Sequence, residues 1–173
     1  MDTYKNLLSQ AAIEQKIKRM ALEVAEQLHG EKNTSLVIIG IAGSGTVIAQ
    51  QVFGLLQTRL QMPVQYVTLS MNKHQPSEVS LSETIDFTDK LVLIVDDVAN
   101  SGSTLLFALK PLLTFLPRQI QTMVLVERMY KKYPVQPNYV GLSVATTSDD
   151  YIQVLVENGV IMGANLIQRG LEG

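Results

Sequence analysis

The chain has 173 residues, and its 46% hydrophobic against 17% charged residues supply a sizeable core and argue against disorder. The length fits one domain over residues 1–173, and the absence of cysteine excludes disulfides and thiolate metal sites. A net charge of −2 gives no general pull on nucleic acid, and no apolar run reaches the roughly 18 residues of a membrane span, so the cytoplasm is the expected location.

In chain order, residues 9–29 carry Ile13, Ile17, Met20, Val24 and Leu28 at three- and four-residue steps. That spacing predicts an amphipathic helix, with Gly30 placed to end it. The two histidines, His29 and His74, lie far apart in sequence, so no zinc site is expected. Residues 36–39 (LVII) predict the first buried strand, followed by a glycine-rich turn over 40–46 and a helix over 47–60. Strand, glycine turn and helix together make an anion site. It is not a P-loop, because no lysine follows Gly45. Nor is it a dinucleotide fingerprint: the glycine spacing differs, and the next strand, 63–69, ends without an acid. Residues 70–89 form a long polar stretch, the composition of a functional flap or of a disordered segment.

The stretch 91–104, LVLIVDDVANSGST, organises the rest. Residues 91–95 predict a buried strand running into the adjacent carboxylates Asp96 and Asp97. A turn of Asn100, Ser101, Gly102, Ser103 and Thr104 then opens a leucine-rich helix. Such a turn presents N–H and O–H groups to a phosphate, with a Cβ at Gly102 expected to block the close approach. The acids before it can hold sugar hydroxyls or a metal. Pro111 interrupts the helix at a cost of about 3 kcal/mol, predicting an end or kink near Lys110. Strands are expected at 122–126, 139–145 and 151–157, with a basic, aromatic loop at 127–134. Asn158-Gly159 signals a hairpin into 160–162. The fold class is α/β: a mostly parallel sheet with helices on both faces and a C-terminal β-hairpin.

The 91–104 stretch resembles the signature of type I phosphoribosyltransferases, in which apolar residues precede an acidic pair and a Thr/Ser-Gly-x-Thr loop. The resemblance implies that Asn100 to Thr104 hold the 5′-phosphate of phosphoribosyl pyrophosphate. It likewise implies that Asp96 and Asp97 are catalytic, facing the ribose and its developing positive charge. Ala42, Gly43, Ser44 and Gly45 would bind the pyrophosphate, and Arg128, Met129 and Tyr130 the base. Mg²⁺ would arrive with the substrate near Asp96 and Asp97 rather than in a protein cage. The flap would close as a lid, with Lys73 and His74 placed to reach the pyrophosphate, and a homodimer is implied.

The order of parts over 21–167 resembles the branch of that family that combines uracil phosphoribosyltransferase activity with attenuation of the pyrimidine operon. Arg128, Pro134, Tyr139-Val140-Gly141 and Thr146 carry that likeness. Glu127, Met129 and Tyr130 stand where the branch has Asp, Gly and His. Gly43-Ser44-Gly45 replaces Thr-Arg-Gly, Leu69-Ser70-Met71-Asn72 replaces Leu-Tyr-Arg-Asp, and Ser103 replaces an arginine. Basic side chains are thus missing around a polyanion. Two functions stay open: transfer of phosphoribose to a nucleobase, such as uracil or another pyrimidine, or sensing of phosphoribosyl pyrophosphate or a nucleotide without turnover. RNA is not expected as a partner. The 14 Lys and Arg stand against 16 Asp and Glu, and the two densest basic sets, Arg128-Lys131-Lys132 and Lys16-Lys18-Arg19, make no long stripe.

Overall fold

The apolar runs at Leu36–Ile41, Leu91–Ala99 and Gln119–Arg128 are buried along nearly their whole length, the pattern of parallel strands covered on both faces. The computed structural model describes residues 3–72, 74–76 and 78–168. Its strands are β1 (Thr3–Ser9), β2 (Leu36–Ile41), β3 (Val64–Met71), β4 (Val79–Leu81), β5 (Leu91–Ala99), β6 (Gln119–Arg128), β7 (Tyr139–Val144), β8 (Tyr151–Glu157) and β9 (Val160–Gln168). Its helices are α1 (Gln10–Gln27), α2 (Ser44–Leu56) and α3 (Ser103–Ala108), the last followed by a 3₁₀ turn, Lys110–Leu112. The core sheet has the order β4-β3-β2-β5-β6-β7 and is parallel except for β3 with β4. A second, antiparallel sheet, β1-β9-β8, forms a hood.

Alternation along the strands sorts the core into two layers. Leu36, Ile38, Leu91, Leu93 and Val95 pack with Ile13, Ile17, Met20 and Val24 of α1, Ile48 and Val52 of α2, and Ile152, Ala164 and Leu166 of the hood. Val37, Ile39, Val92 and Ile94 face the opposite way, against Leu105, Ala108 and Leu112. The expected architecture, helices on both faces of a mostly parallel sheet, is therefore present. Among the described residues no helix is long and apolar enough to cross a membrane.

α1 starts where Ser9 Oγ accepts from Ala12 N at 3.2 Å, an N-cap that satisfies one orphan donor. A polar trio fixes it to the sheet. The Tyr139 hydroxyl donates to Gln121 Oε1 at 2.8 Å, and Gln121 Nε2 donates to Gln27 Oε1 at 3.0 Å. Burial pushes the Tyr139 phenol above its ordinary pKa. At the end of the sheet away from the loops after β2 and β5, Arg118 makes a bidentate pair with Asp89 at 2.9 and 3.0 Å and also reaches Glu31. Its hydrogen bonds hold the Asp89 carboxyl below the usual carboxylate range.

Several boundaries differ from expectation. β5 continues through Asp96 and Asp97 to Ala99, because β6 pairs with it as far as Glu127. The acidic pair is therefore part of the strand. α2 begins at Ser44 rather than near 47, since Gly43 makes the whole turn and Thr46 N and Oγ1 both return to Gly43 O. The polar stretch 70–89 is not wholly irregular: β4 pairs back on β3, and Phe87 and Ile85 are buried beneath it. β1 was outside the expected elements, because Thr3–Ser9 is mostly exposed and gains its extended form from pairing with β9. The helix before Pro111 ends at Ala108, as the proline demands.

Gly141 marks the tightest packing in the sheet. A Cβ there would lie 2.4 Å from Leu125 O, a backbone atom that cannot swing aside. Gly141→Ala is expected to destabilise the protein by about 1–3 kcal/mol, the scale of overpacked sites. A thermal melt checks this, with the midpoint falling by roughly 2–10 °C; an unchanged midpoint would refute the close fit.

Candidate active site at the switch point of the sheet

β2 and β5 are parallel neighbours, yet the chain leaves β2 toward β3 on one side and β5 toward β6 on the other. Their following loops diverge and leave a crevice at the carboxyl ends of the strands, where open α/β sheets bind ligands. Both loops expected to bind phosphates lie there.

The first is short. Ala42 N donates to Leu69 O at 2.8 Å, and Gly43, at φ +103°, turns the chain into α2. Ser44 and Gly45 thus lie in the first helical turn, where unsatisfied N–H groups and the helix dipole favour an anion. Gly45 has a separate, steric role. A Cβ on it would sit 2.9 Å from Asp96 Oδ1 and 3.1 Å from Asp96 Cα. Absence of that atom lets the start of α2 lie directly on the acidic pair.

Asp96 is buried at 1% exposure, and its Oδ1 accepts from Asp97 N at 2.9 Å. Asp97 is half-buried, and its Oδ1 accepts from Val98 N at 2.7 Å. Each carboxylate is oriented by the next backbone amide.

The second loop follows at once. Val98 to Leu105, including Asn100, Ser101, Gly102, Ser103 and Thr104, line a small concavity. Gly102 is left-handed at φ +88°, and Ser103 N donates to Ser101 Oγ at 3.3 Å. The loop is held from behind by a strap from the β6–β7 connection. Lys132 N and Tyr133 N both donate to Ser101 O, at 2.9 and 3.0 Å. A Cβ on Gly102 would meet Tyr133 O at 3.2 Å and Val135 O at 3.3 Å. The glycine is thus required by its φ and by the strap behind it.

The third region is the end of β6. Glu127 accepts from Ser143 Oγ at 2.7 Å and pairs with Lys131 at 3.2 Å. Met129 and Tyr130 stand at the rim, 67% and 62% exposed. The Arg128 guanidinium turns to the β7–β8 connection: Nε donates to Thr146 Oγ1 at 2.7 Å and Nη2 to Thr147 O at 2.6 Å. Asp150, buried at 6% exposure, accepts from Thr147 N at 2.9 Å. That bond from Thr147, chiefly, holds the Asp150 carboxyl below its ordinary pKa.

The structure therefore places Ala42 to Gly45, Asp96, Asp97 and Asn100 to Thr104 at the carboxyl ends of the neighbouring strands β2 and β5, with Gly45 against Asp96, and it bonds Arg128 to the connection into the hood. Sequence reasoning does not single out the strap or Asp150. Pro134 and Pro137, bracketing a short extended segment, are the one local signal for the strap. His74 lies beyond β3, where its N–H donates to Asn72 Oδ1 at 3.0 Å; Lys73 lies outside the described residues. Among the described residues no three or more His, Asp or Glu side chains group into a metal cage.

A parallel sheet whose switch point carries a glycine turn, an acidic pair and a Ser-Gly-Ser-Thr loop defines a phosphoribosyltransferase architecture. The chain belongs to the phosphoribosyl transferase domain family, whose pattern matches residues 3–157. It is similar to the Bifunctional protein PyrR of Limosilactobacillus fermentum, 30% identical over 159 residues that cover 85% of this chain and 88% of that protein. It is also similar to the Bifunctional protein PyrR of Staphylococcus carnosus, 29% identical over 161 residues, covering 87% and 91%. Among solved structures, a hypoxanthine-guanine phosphoribosyltransferase from Bacillus anthracis superposes with a TM-score of 0.70 at 21% identity, covering 93% of this chain and 98% of that one. The hypoxanthine phosphoribosyltransferase of Trypanosoma cruzi gives 0.71 at 20% identity, covering 82% of each. At these identities the two structures establish the fold.

Proposed function

We propose that the protein transfers phosphoribose from phosphoribosyl pyrophosphate to a nucleobase, releasing pyrophosphate. The observation that carries this is the contact of Gly45 with Asp96, which joins both phosphate loops to the acidic pair. A ring nitrogen of the base attacks the anomeric carbon as the bond to pyrophosphate breaks. Positive charge grows on the ribose in the transition state, and Asp96 and Asp97, preset by backbone amides, are placed to stabilise it. The loop from Asn100 to Thr104 anchors the 5′-phosphate. The turn from Ala42 to Gly45 and the first amides of α2 receive the negative charge of the leaving group.

Two adjacent carboxylates without a third ligand suit Mg²⁺, which favours one or two protein carboxylates and completes its shell with phosphate oxygens and water. Asp97, the half-buried member of the pair, would hold it with the buried charge of Asp96 behind, and when bound it would neutralise charge on the leaving pyrophosphate. Uracil or another pyrimidine is the proposed acceptor, on the resemblance to the uracil-using branch and on the similarity to the PyrR proteins.

A second reading has its own observation. Neither phosphate loop carries an arginine, and Arg128 is engaged with Thr146 and Thr147. That favours a protein that senses phosphoribosyl pyrophosphate or a nucleotide without turning it over. Incubation with phosphoribosyl pyrophosphate, Mg²⁺ and a panel of uracil, cytosine, hypoxanthine and guanine separates the two. Formation of a nucleoside 5′-monophosphate from one base, lost with EDTA, is expected. Tight binding without turnover of any base would establish the sensor, and absence of binding would defeat both.

A homodimer without an RNA partner completes the proposal. Lys16 Nζ donates to Gly141 O at 2.9 Å, Arg19 donates to Val140 O and pairs with Glu23, and Lys131 pairs with Glu127. Basic side chains spent on internal partners leave fewer to displace counterions from RNA. Light scattering and RNA titration at physiological salt are the direct measurements; a monomer, or submicromolar RNA binding that weakens steeply with salt, would reject the respective part.

A further inference from the structure

We propose that Arg128 is a positioning residue that holds the hood over the acceptor side of the crevice, rather than a group that itself stacks on the base. The inference rests on the reading above that the protein takes a nucleobase acceptor, which the resemblance puts beside Arg128, Met129 and Tyr130 at the end of β6.

Arg128 is the last residue of β6, and its guanidinium spends two donors on the connection that leads into β8: Nε on Thr146 Oγ1 and Nη2 on Thr147 O. The far side of that connection is fixed in turn. Asp150 Oδ2 accepts from Thr147 N, and Asp150 is buried immediately before β8 starts at Tyr151. Arg128, Ser148, Asp149, Asp150 and Tyr151 together line one cleft. A strand end of the core, a turn and the first hood strand are thus joined by consecutive short hydrogen bonds. Ile152, Ala164 and Leu166 of the hood also pack against the helical layer.

The chemistry of the guanidinium explains why arginine is needed. Its planar fork offers donors at fixed angles, so it serves a hydroxyl and a carbonyl at once. A lysine ammonium is a point charge on a flexible stem and does not reproduce the pair. Met129 and Tyr130, next in sequence, lie on the exposed rim, and Met129 N donates to Val144 O at 3.0 Å, two residues before Thr146. The clamp therefore sets the separation between that rim and the hood. A misplacement of about 1 Å in such a support can cost roughly 100-fold in the rate of transfer. The phosphate loop, held by the strap through Ser101 O, does not share these bonds.

The test compares two probes by calorimetry on the full chain. Ribose 5-phosphate occupies only the phosphate and sugar sites, whereas the monophosphates of uridine, cytidine, inosine and guanosine also fill the acceptor side. In the wild type at least one nucleotide is expected to bind more tightly than ribose 5-phosphate. In Arg128→Ala that nucleotide's affinity is expected to fall about 10- to 100-fold, with ribose 5-phosphate within about twofold. Thr146→Val, which removes the acceptor of Nε, is expected to lose part of the same affinity, and Arg128→Lys is expected to recover little of it. Amide exchange over residues 146–157 should quicken in Arg128→Ala while that of β2 and β5 stays unchanged. Equal loss for both probes, full recovery by lysine, or unchanged exchange in the hood would overturn the inference. A wild-type protein that binds ribose 5-phosphate and no nucleotide more tightly would instead remove the acceptor site itself, whatever Arg128 does to exchange in the hood.

Discussion

Replacing Gly102 with valine is expected to abolish binding of ribose 5-phosphate and phosphoribosyl pyrophosphate while leaving the sheet folded. Gly102 sits at φ +88°, where a β-branched residue is a strong outlier. Its added Cβ would press on Tyr133 O and Val135 O from 3.2 and 3.3 Å. The strap cannot simply retreat, because Lys132 N and Tyr133 N are tied to Ser101 O of the same loop. Strain is therefore relieved by deforming the loop from Asn100 to Thr104, which disperses the N–H and hydroxyl groups around the concavity. A hydrogen bond to a charged group contributes about 1.5–3 kcal/mol, so losing two costs roughly 3–6 kcal/mol, or about two to four decades of affinity. Gly102→Ala, with a smaller side chain in the same strained backbone, should fall between the two. Calorimetry measures the loss, and circular dichroism with a thermal melt establishes folding. A folded valine variant with wild-type affinity for ribose 5-phosphate would remove this loop from the phosphate site.

Why the loops after β2 and β5 are legible in the sequence, and their supports are not, follows from the range of the interactions. Buried strands, a glycine turn, an acidic pair and a hydroxyl-rich loop are encoded over neighbouring residues, so local pattern exposes them. The helix α1 is legible for the same reason, through Ile13, Ile17, Met20 and Val24. The ends of elements are less so. β5 carries two carboxylates to its end because pairing with β6 outweighs their low strand propensity. β1 is extended only because β9, about 160 residues later, pairs with it. The strap behind Gly102 joins segments 31 and 32 residues apart through backbone atoms that any residue could supply, and the clamp from Arg128 to Thr146 joins two side chains 18 residues apart. Sequence marks Gly102 and Arg128 as significant. It misplaces the reason for one, assigning Gly102's Cβ-free side to the ligand when it faces the strap. For Arg128 it suggests a base contact, and the structure adds bonds to Thr146 and Thr147 that local pattern does not show.

Changing Asp96 and Asp97 together to asparagine is expected to remove turnover while sparing binding of the 5′-phosphate. The substitution is conservative for the fold. An asparagine carbonyl oxygen can still accept from Asp97 N or Val98 N, the bonds that now orient the two carboxylates at 2.9 and 2.7 Å. Gly45 leaves room beside residue 96 for a group of the same shape. What disappears is negative charge beside the ribose. Electrostatic groups aimed at charge that develops in the transition state contribute about 100- to 1,000-fold each to turnover, so the double variant should lose at least that much. On the proposed assignment the 5′-phosphate sits in the following loop and gains no attraction from carboxylates, so ribose 5-phosphate should bind as tightly as before or more tightly. The proposed role of Mg²⁺ gives a second readout: with both carboxylates neutral, the Mg²⁺ dependence of phosphoribosyl pyrophosphate binding should flatten. The measurements are steady-state turnover with the accepted base and calorimetry with and without Mg²⁺. Turnover within a few-fold of wild type would take the acids out of the reaction. Loss of ribose 5-phosphate binding in a folded variant would show that the acidic pair and the phosphate loop act as one site.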